Sequence, residues 1–260
     1  MRRLGIVAVG LALVVGAALL SGALSFPPSS AQGGVTEAWV ARYDGPAGGG
    51  DVPADLAVDE SGFVYVTGSS WGGYSGSGGT EDDYATVKYD ATGSEVWANR
   101  YAGMGFEGVD RASALALDDI GNVYVTGVSH GTGDTGDDFA TIKYNSVGVE
   151  QWVARYTGPP PTKPSLESAF DLAVDGSGNV YVTGYSNGYG TGYDFATVKY
   201  SADGEQQWAA RYNGGGQPYG DAAYGIALDE SGFVYVAGAS EGVGSRVDFA
   251  TVKYSPEGIQ

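Results

Sequence analysis

The chain has 260 residues, 45 of them glycine, with no cysteine, 13 Lys and Arg against 31 Asp and Glu, and a formal net charge of −18. A surface that acidic repels a phosphate backbone, which argues against nucleic acid as a partner, and the missing cysteines exclude a disulfide scaffold and thiolate metal sites. Abundant glycine with valine and tyrosine disfavours helices and suits short strands joined by turns.

Arg2 and Arg3 precede an apolar run from Leu4 to Leu24 and the small-residue segment Ser25 to Ala31. This is the order of a secretory signal, with residues 1–31 cut off before Gln32. The run is also long enough to cross a bilayer, so a retained N-terminal anchor is the other reading. Either one predicts a secreted, periplasmic or cell-surface protein that meets a membrane only through an uncleaved N-terminus.

An apolar, aromatic stretch at 35–43 predicts a first strand. Then Asp55 to Val58 predicts a short buried strand, Asp59 to Gly62 a tight turn, and Phe63 to Thr67 a second strand. A Gly/Ser loop is expected at Ser69–Asp82, a third strand at Asp83–Tyr89, a turn at Asp90–Gly93, and a fourth strand at Val96–Tyr101. The pattern recurs. Asp59-Glu-Ser-Gly-Phe-Val-Tyr-Val-Thr-Gly68 returns at Asp118–Gly127, Asp175–Gly184 and Asp229–Gly238. The third strand returns at Asp138, Asp194 and Asp248, and the Trp97-to-Tyr101 motif at Trp152 and Trp208, with an early copy at Trp39–Tyr43.

The second-strand tyrosines lie at 65, 124, 181 and 235, so the steps are 59, 57 and 54. A four-stranded propeller blade of about 40 to 50 residues, with one longer loop, accounts for this period. The predicted fold is therefore all-β: a β-propeller of four-stranded antiparallel blades in four repeat units, at about 54–101, 112–156, 169–212 and 222–260 of a 32–260 domain. The unit at 222–260 lacks the fourth-type strand that 35–43 could supply. Closure into a four-blade ring, and a part of a larger truncated propeller, are the two readings of that arrangement.

The motif Ala-Val-Asp-x-x-Gly-Asn-Val-Tyr-Val-Thr-Gly, followed by Asp-Phe-Ala-Thr-Val-Lys-Tyr and Trp-x-x-Arg-Tyr, resembles the SBBP-type bacterial β-propeller repeat, with 171–184 and 194–212 matching it best. The resemblance covers about 35–260. It implies a secreted or surface-exposed propeller, no common enzymatic activity, and no catalytic residues to carry over.

Two connections have fixed length and two vary, which predicts fixed turns on one face and variable, functional loops on the other. The ligand-binding candidates on that face are Trp71, Tyr74, Asp82, Asp134, Asp137, Tyr189, Tyr193 and Tyr219. Glu81, Asp82, Asp134 and Asp137 are weak candidates for Ca²⁺, which takes oxygen ligands; no other cofactor is expected. Lys88, Lys143, Lys199 and Lys253, with Arg42, Arg100, Arg155 and Arg211, recur in register and are read as scaffold. His130 is the single histidine, with no second histidine or cysteine to build a dyad or a metal triad. Asp90-Ala-Thr-Gly-Ser-Glu-Val-Trp97 resembles a motif of quinoprotein propellers, and a turn plus a packing tryptophan also explains it. The expectation is a non-enzymatic binding or structural module that takes a protein or glycan ligand. The alternative is a propeller enzyme, either a quinoprotein-like oxidoreductase or a glycan-cleaving hydrolase.

Overall fold

The computed structural model describes residues 36–74, 80–103, 108–131, 136–158, 165–188, 190–215, 220–242, 244 and 246–260, with the side chains of 74, 80, 81 and 165 excepted. The targeting segment expected at 1–31 lies outside the described residues. Fifteen strands and no helix appear among those residues.

They run in the repeating order of the sequence: β1 (Asp51–Val58), β2 (Val64–Tyr74), β3 (Thr80–Tyr89), β4 (Glu95–Tyr101), β5 (Arg111–Leu117), β6 (Val123–His130), β7 (Gly136–Tyr144) and β8 (Glu150–Tyr156). There follow β9 (Ser165–Val174), β10 (Val180–Gly188), β11 (Gly192–Tyr200), β12 (Gln206–Tyr212), β13 (Ala222–Leu228), β14 (Val234–Glu241) and β15 (Val247–Tyr254). Consecutive strands within a unit pair antiparallel. The expected loop at 69–82 is shorter than its composition suggests, because β2 and β3 stay paired past Trp71 opposite Asp82 and, after an irregularity, as far as Tyr74 opposite Thr80.

Each tight turn is fixed by its aspartate. Asp59 Oδ1 accepts the Ser61 and Phe63 amides at 2.9 and 3.0 Å, and Oδ2 accepts the Tyr65 hydroxyl at 3.1 Å. Gly62 closes the turn at φ 84°, a left-handed conformation that favours glycine. Asp118, Asp175 and Asp229 repeat the arrangement.

The units stack side by side, face to face, so that the core is a series of interfaces between neighbouring units. Tyr65 and Tyr84 of the first unit join Leu115, Val123, Val125 and Ile142 of the second. Tyr124 and Phe139 meet Leu172, Val180 and Val198, and Phe195 meets Val234, Val236 and Val252. Burial of large aromatic and branched side chains is the main stabilising contribution, about 25 cal/mol per Å² of apolar surface. The recurring basic residues tie the same interfaces. Lys88, Lys143 and Lys199 each donate to a backbone carbonyl of the next unit, at Ser146, Ala202 and Pro256. Trp152 and Trp208 donate to the carbonyls of Ala202 and Pro256.

Two expectations are corrected. The described strands do not form four equal, separate four-stranded blades. They form a four-stranded sheet, an eight-stranded sheet and a three-stranded sheet, β7 and β9 being joined by a short parallel pairing at Gly136 and Asp137. Nor do the described strands close a ring: among the described residues β15 pairs with β14 alone, and residues 36–45 carry no strand. The physical reason is pairing: Trp39 takes the place of a fourth-strand tryptophan, over Gly93 and 6.4 Å from the Tyr89 ring, but the segment that carries it is hydrogen-bonded to no strand edge.

Candidate functional site

The first strands stand in a row, β1 beside β5, β5 beside β9 and β9 beside β13. Asp55 of β1 accepts the Leu56 amide at 2.8 Å and reaches across to the Leu115 amide of β5 at 2.9 Å. Asp171 of β9 does the same with Leu172 and with Ile226 of β13, at 2.9 and 2.9 Å. Each sits beside an irregularity in its strand, which turns the carboxylate toward the neighbouring first strand. Burial raises the Asp171 carboxyl above the usual carboxylate range against the pull of its two backbone amides, and the charge of Asp55 raises it further.

A second set of acids begins the first strands: Asp51, Asp110, Glu167 and Asp221. Asp110 takes the Gly103 amide at 2.6 Å and the His130 amide at 3.2 Å; Asp221 takes those of Gly214 and Glu241, both at 2.8 Å. Glu167 accepts the Ser186 hydroxyl at 3.0 Å. These carboxylates hold incoming loops in place, and burial pushes Asp110 up. Their spacing in the sequence, eight residues before each turn aspartate, was the available signal for them.

Beneath the loops run clamps of arginine, aspartate and serine. Arg100 grips Asp83 at 2.6 Å and Ser70. Arg155 grips Asp138 at 2.9 Å, Ser129 at 2.7 Å and the Tyr101 hydroxyl of the preceding unit at 3.1 Å. Arg211 grips Asp194 at 2.7 Å. In the first two clamps the arginine Nε and Nη2 both donate to one carboxylate oxygen, Oδ2 of Asp83 and Oδ2 of Asp138, and these partly buried pairs position the loop bases.

The exposed chemistry lies over the third and fourth units. Phe170 packs on Tyr185 and Tyr224 with ring centroids 5.6 and 5.3 Å apart, and Tyr185 on Tyr193 at 4.6 Å. Tyr193 is 37% and Tyr224 58% exposed. Tyr185 is raised by burial first, then by the neighbouring Tyr193 and by the charges of Asp137 and Glu167. Next to Asp137, His130 Nδ1 lies 2.9 Å from Oδ1.

Of the residues singled out from sequence, the structure brings Tyr193 into the aromatic cluster and places Asp137 beside His130. Asp82 pairs at 2.7 Å with Arg111, the first residue of the second unit's first strand. Trp71 covers Gly49. Asp134, Tyr189 and Tyr219, and the side chains of Tyr74 and Glu81, lie outside the described residues. Among the described residues no group of three or more His, Asp or Glu is gathered for a metal ion. Phe170, Tyr185, Tyr224, Asp55 and Asp171 were missed, because they lie in strands whose other copies carry unlike residues: Ala54, Ser113, Phe170 and Tyr224 share one position.

Two stretches, residues 41–75 and 151–190, match the family model described as SBBP, beta-propeller repeat. No curated protein matches the chain. Solved structures with a like arrangement include the endo-arabinase from Bacteroides thetaiotaomicron VPI-5482, at 11% identity and TM-score 0.45, covering 86% of this chain and 82% of that one. Native Bacillus subtilis arabinanase Arb43A matches at 10% identity and TM-score 0.43, covering 78% and 71%. A protein of unknown function from Bacteroides caccae matches at 11% identity and TM-score 0.44; this chain is covered over 81% and spans 65% of the other's length. The endo-arabinase and the arabinanase are enzymes by name, in contrast to the non-enzymatic binding or structural module expected from the sequence.

Proposed function

We propose that the protein is a glycan-cleaving hydrolase. Its four repeat units are read as consecutive blades of a propeller-type arrangement, working outside the cytoplasm in keeping with the N-terminal targeting pattern. One observation carries the reading. Asp171, held above the usual carboxylate range, feels the charge of a second carboxylate, Asp55, and follows directly on Phe170 of the partly exposed aromatic cluster.

Glycoside hydrolysis needs two such carboxyl groups, one able to give a proton to the leaving oxygen and one ionised to activate water or attack the sugar. Burial is the main cause that favours the protonated form of Asp171, and the charge of Asp55 adds to it in the same direction. Asp171 is assigned as the acid and Asp55 as the ionised partner. Tyr193 and Tyr224 offer ring faces on which a sugar can stack.

The test is release of reducing ends from a polysaccharide panel that includes arabinan, xylan, pullulan and peptidoglycan. Asp171→Asn and Asp55→Asn should each lower the rate at least about 100-fold, with thermal melting checked alongside. The rate of the unaltered protein should fall as pH rises, because Asp171 then loses the proton it must donate, and this limb should vanish in Asp171→Asn. No release from any polymer in the panel, or full activity in both variants, overturns the reading.

A further inference from the structure

The loop-bearing rim of the eight-stranded sheet joins the second unit to the third. The sheet order β12-β11-β10-β9-β7 sets β7 directly beside β9, with Asp137 opposite Leu166. Farther across the rim, Ser168 lies opposite Tyr185 and Asn187 opposite Tyr193. Three strand spacings of about 4.8 Å separate β7 from β11, so Asp137 and Tyr193 stand on the order of 15 Å apart, a reach suited to a short oligosaccharide. Leu166 and Tyr193 are exposed along it, and Phe170 carries the surface on to the exposed ring of Tyr224.

The charges set into this surface are mostly of one sign. Asp137 stands at one end, and the buried Glu167 follows Leu166. Asp194 adjoins Tyr193, and Asp221 donates its amide to the Tyr193 carbonyl at 2.5 Å. The guanidinium among them, Arg211, is taken up by Asp194 at 2.7 Å and by Ser186. The Asp221 carboxylate is held by the amides of Gly214 and Glu241, which carry no charge to offset its own. Carboxylates beneath and beside aromatic faces attract a cation and repel an anion. The chain itself sets ammonium groups on such rings, Lys143 over Tyr124 at 5.2 Å and Lys199 over Tyr181 at 5.0 Å. Exposed tyrosines next to carboxylates present the same arrangement to an ammonium group from outside.

We propose that this surface takes a cationic amino-sugar polymer, a chain of glucosamine units whose rings stack on Tyr193 and Tyr224 while their ammonium groups face the carboxylates. Asp137 is the specificity-determining residue at its far end. A neutral glycan gains the stacking without the charge, and a uronic acid polymer meets charge of its own sign. The inference names the substrate class for the hydrolase reading and rests on that reading for cleavage alone; recognition stands on the surface itself.

The glucosamine hexamer and its fully N-acetylated counterpart have the same length and backbone, and the acetyl groups remove the charge. Each is titrated calorimetrically into the full chain, beside a galacturonic acid hexamer, in mildly acidic, low-salt buffer that keeps the amines protonated. The glucosamine hexamer should bind at least about 10-fold more tightly than the acetylated one, through several ion pairs and cation–π contacts together, and the galacturonic acid hexamer should not bind. Asp137→Asn and Tyr193→Ala should each weaken the glucosamine hexamer about 3-fold or more, with thermal melts checked alongside. Asp203→Asn removes the same charge from an exposed turn beyond the opposite end of β11 from Tyr193, and should leave affinity unchanged. Equal affinity for the acetylated hexamer, no binding of the glucosamine hexamer, or an Asp203→Asn loss as large as that of Asp137→Asn overturns the proposal; the last would mean diffuse attraction to an acidic chain. Mass spectrometry of the titrated samples reads cleavage separately. A glucosamine hexamer bound with this preference and left whole upholds the recognition and counts against the hydrolase; cleavage without preference for the amine does the reverse.

Discussion

Phe195 and Phe249 are the same residue at the same place in two successive units, and they isolate what burial alone contributes. Phe195 is fully covered by the fourth unit and packs at 5.4 Å from Tyr212; Phe249 is fully exposed. Truncating a buried phenylalanine to alanine costs about 3–5 kcal/mol through lost transfer and the cavity left behind, whereas an exposed one changes stability by no more than about 0.5 kcal/mol. Chemical denaturation of Phe195→Ala and Phe249→Ala should show this difference. The sequence made the equivalence plain, since both open the string Phe-Ala-Thr-Val-Lys-Tyr. It could not say which copy has a neighbour. The same limit hid the acids of the site. Asp59 announced its turn because aspartate followed by glycine is a local signal, while Asp55 and Asp171 act through amides of the next unit, 60 and 55 residues away.

Within each unit, the glycine that ends the recurring turn-and-strand motif records a constraint between strands. A side chain at Gly184 would place its first carbon 1.9 Å from the Ser168 carbonyl oxygen, and Gly68, Gly127 and Gly238 would meet the equivalent oxygen at 2.0 Å. Each glycine faces the irregularity at which the first strand shifts register, as between Thr183 and Gly184. The close approach lets the first strand bend, and that bend aims Asp55 and Asp171. Gly184→Ala should therefore destabilise by about 1–3 kcal/mol, the usual range for overpacking. Gly176→Ala, with nothing within 4 Å of the added carbon, should melt with the unaltered protein. Strand order, turn positions and the period were all legible, because valine–tyrosine alternation and Asp-x-x-Gly are short-range signals. The lengths of β2 and β3 were not. The glycines and serines after Gly68 look like loop by composition, yet cross-strand pairing carries Ser69, Ser70 and Trp71 into the sheet.

At the scale of the molecule, the interfaces are the fold. The tyrosines at 65, 124 and 181, the valines opposite them and the lysines that cross the gap all join one unit to the next. Counting units from the sequence was straightforward; which side chains meet across the interfaces was not visible there, because a repeat shows what recurs and not what each copy touches. The first strand expected at 35–43 is the instructive case. Its motif is that of a fourth strand, and its tryptophan takes the site on Gly93 that such a strand would occupy, but strand pairing needs a partner edge that the first unit does not offer.

The lysine-to-carbonyl ties give the stack a mechanical character. Lys88 to Ser146, Lys143 to Ala202 and Lys199 to Pro256 enclose 58, 59 and 57 residues. Stability of this kind is a sum over neighbours, as in repeat arrays generally. A single chain pulled from its two ends should not let go all at once. It should yield one unit at a time, and each rupture should release a length of about 200 Å at about 3.5 Å per residue. A force–extension trace with that regular spacing would read the repeat directly; one rupture spanning the whole chain would show that the units fail together.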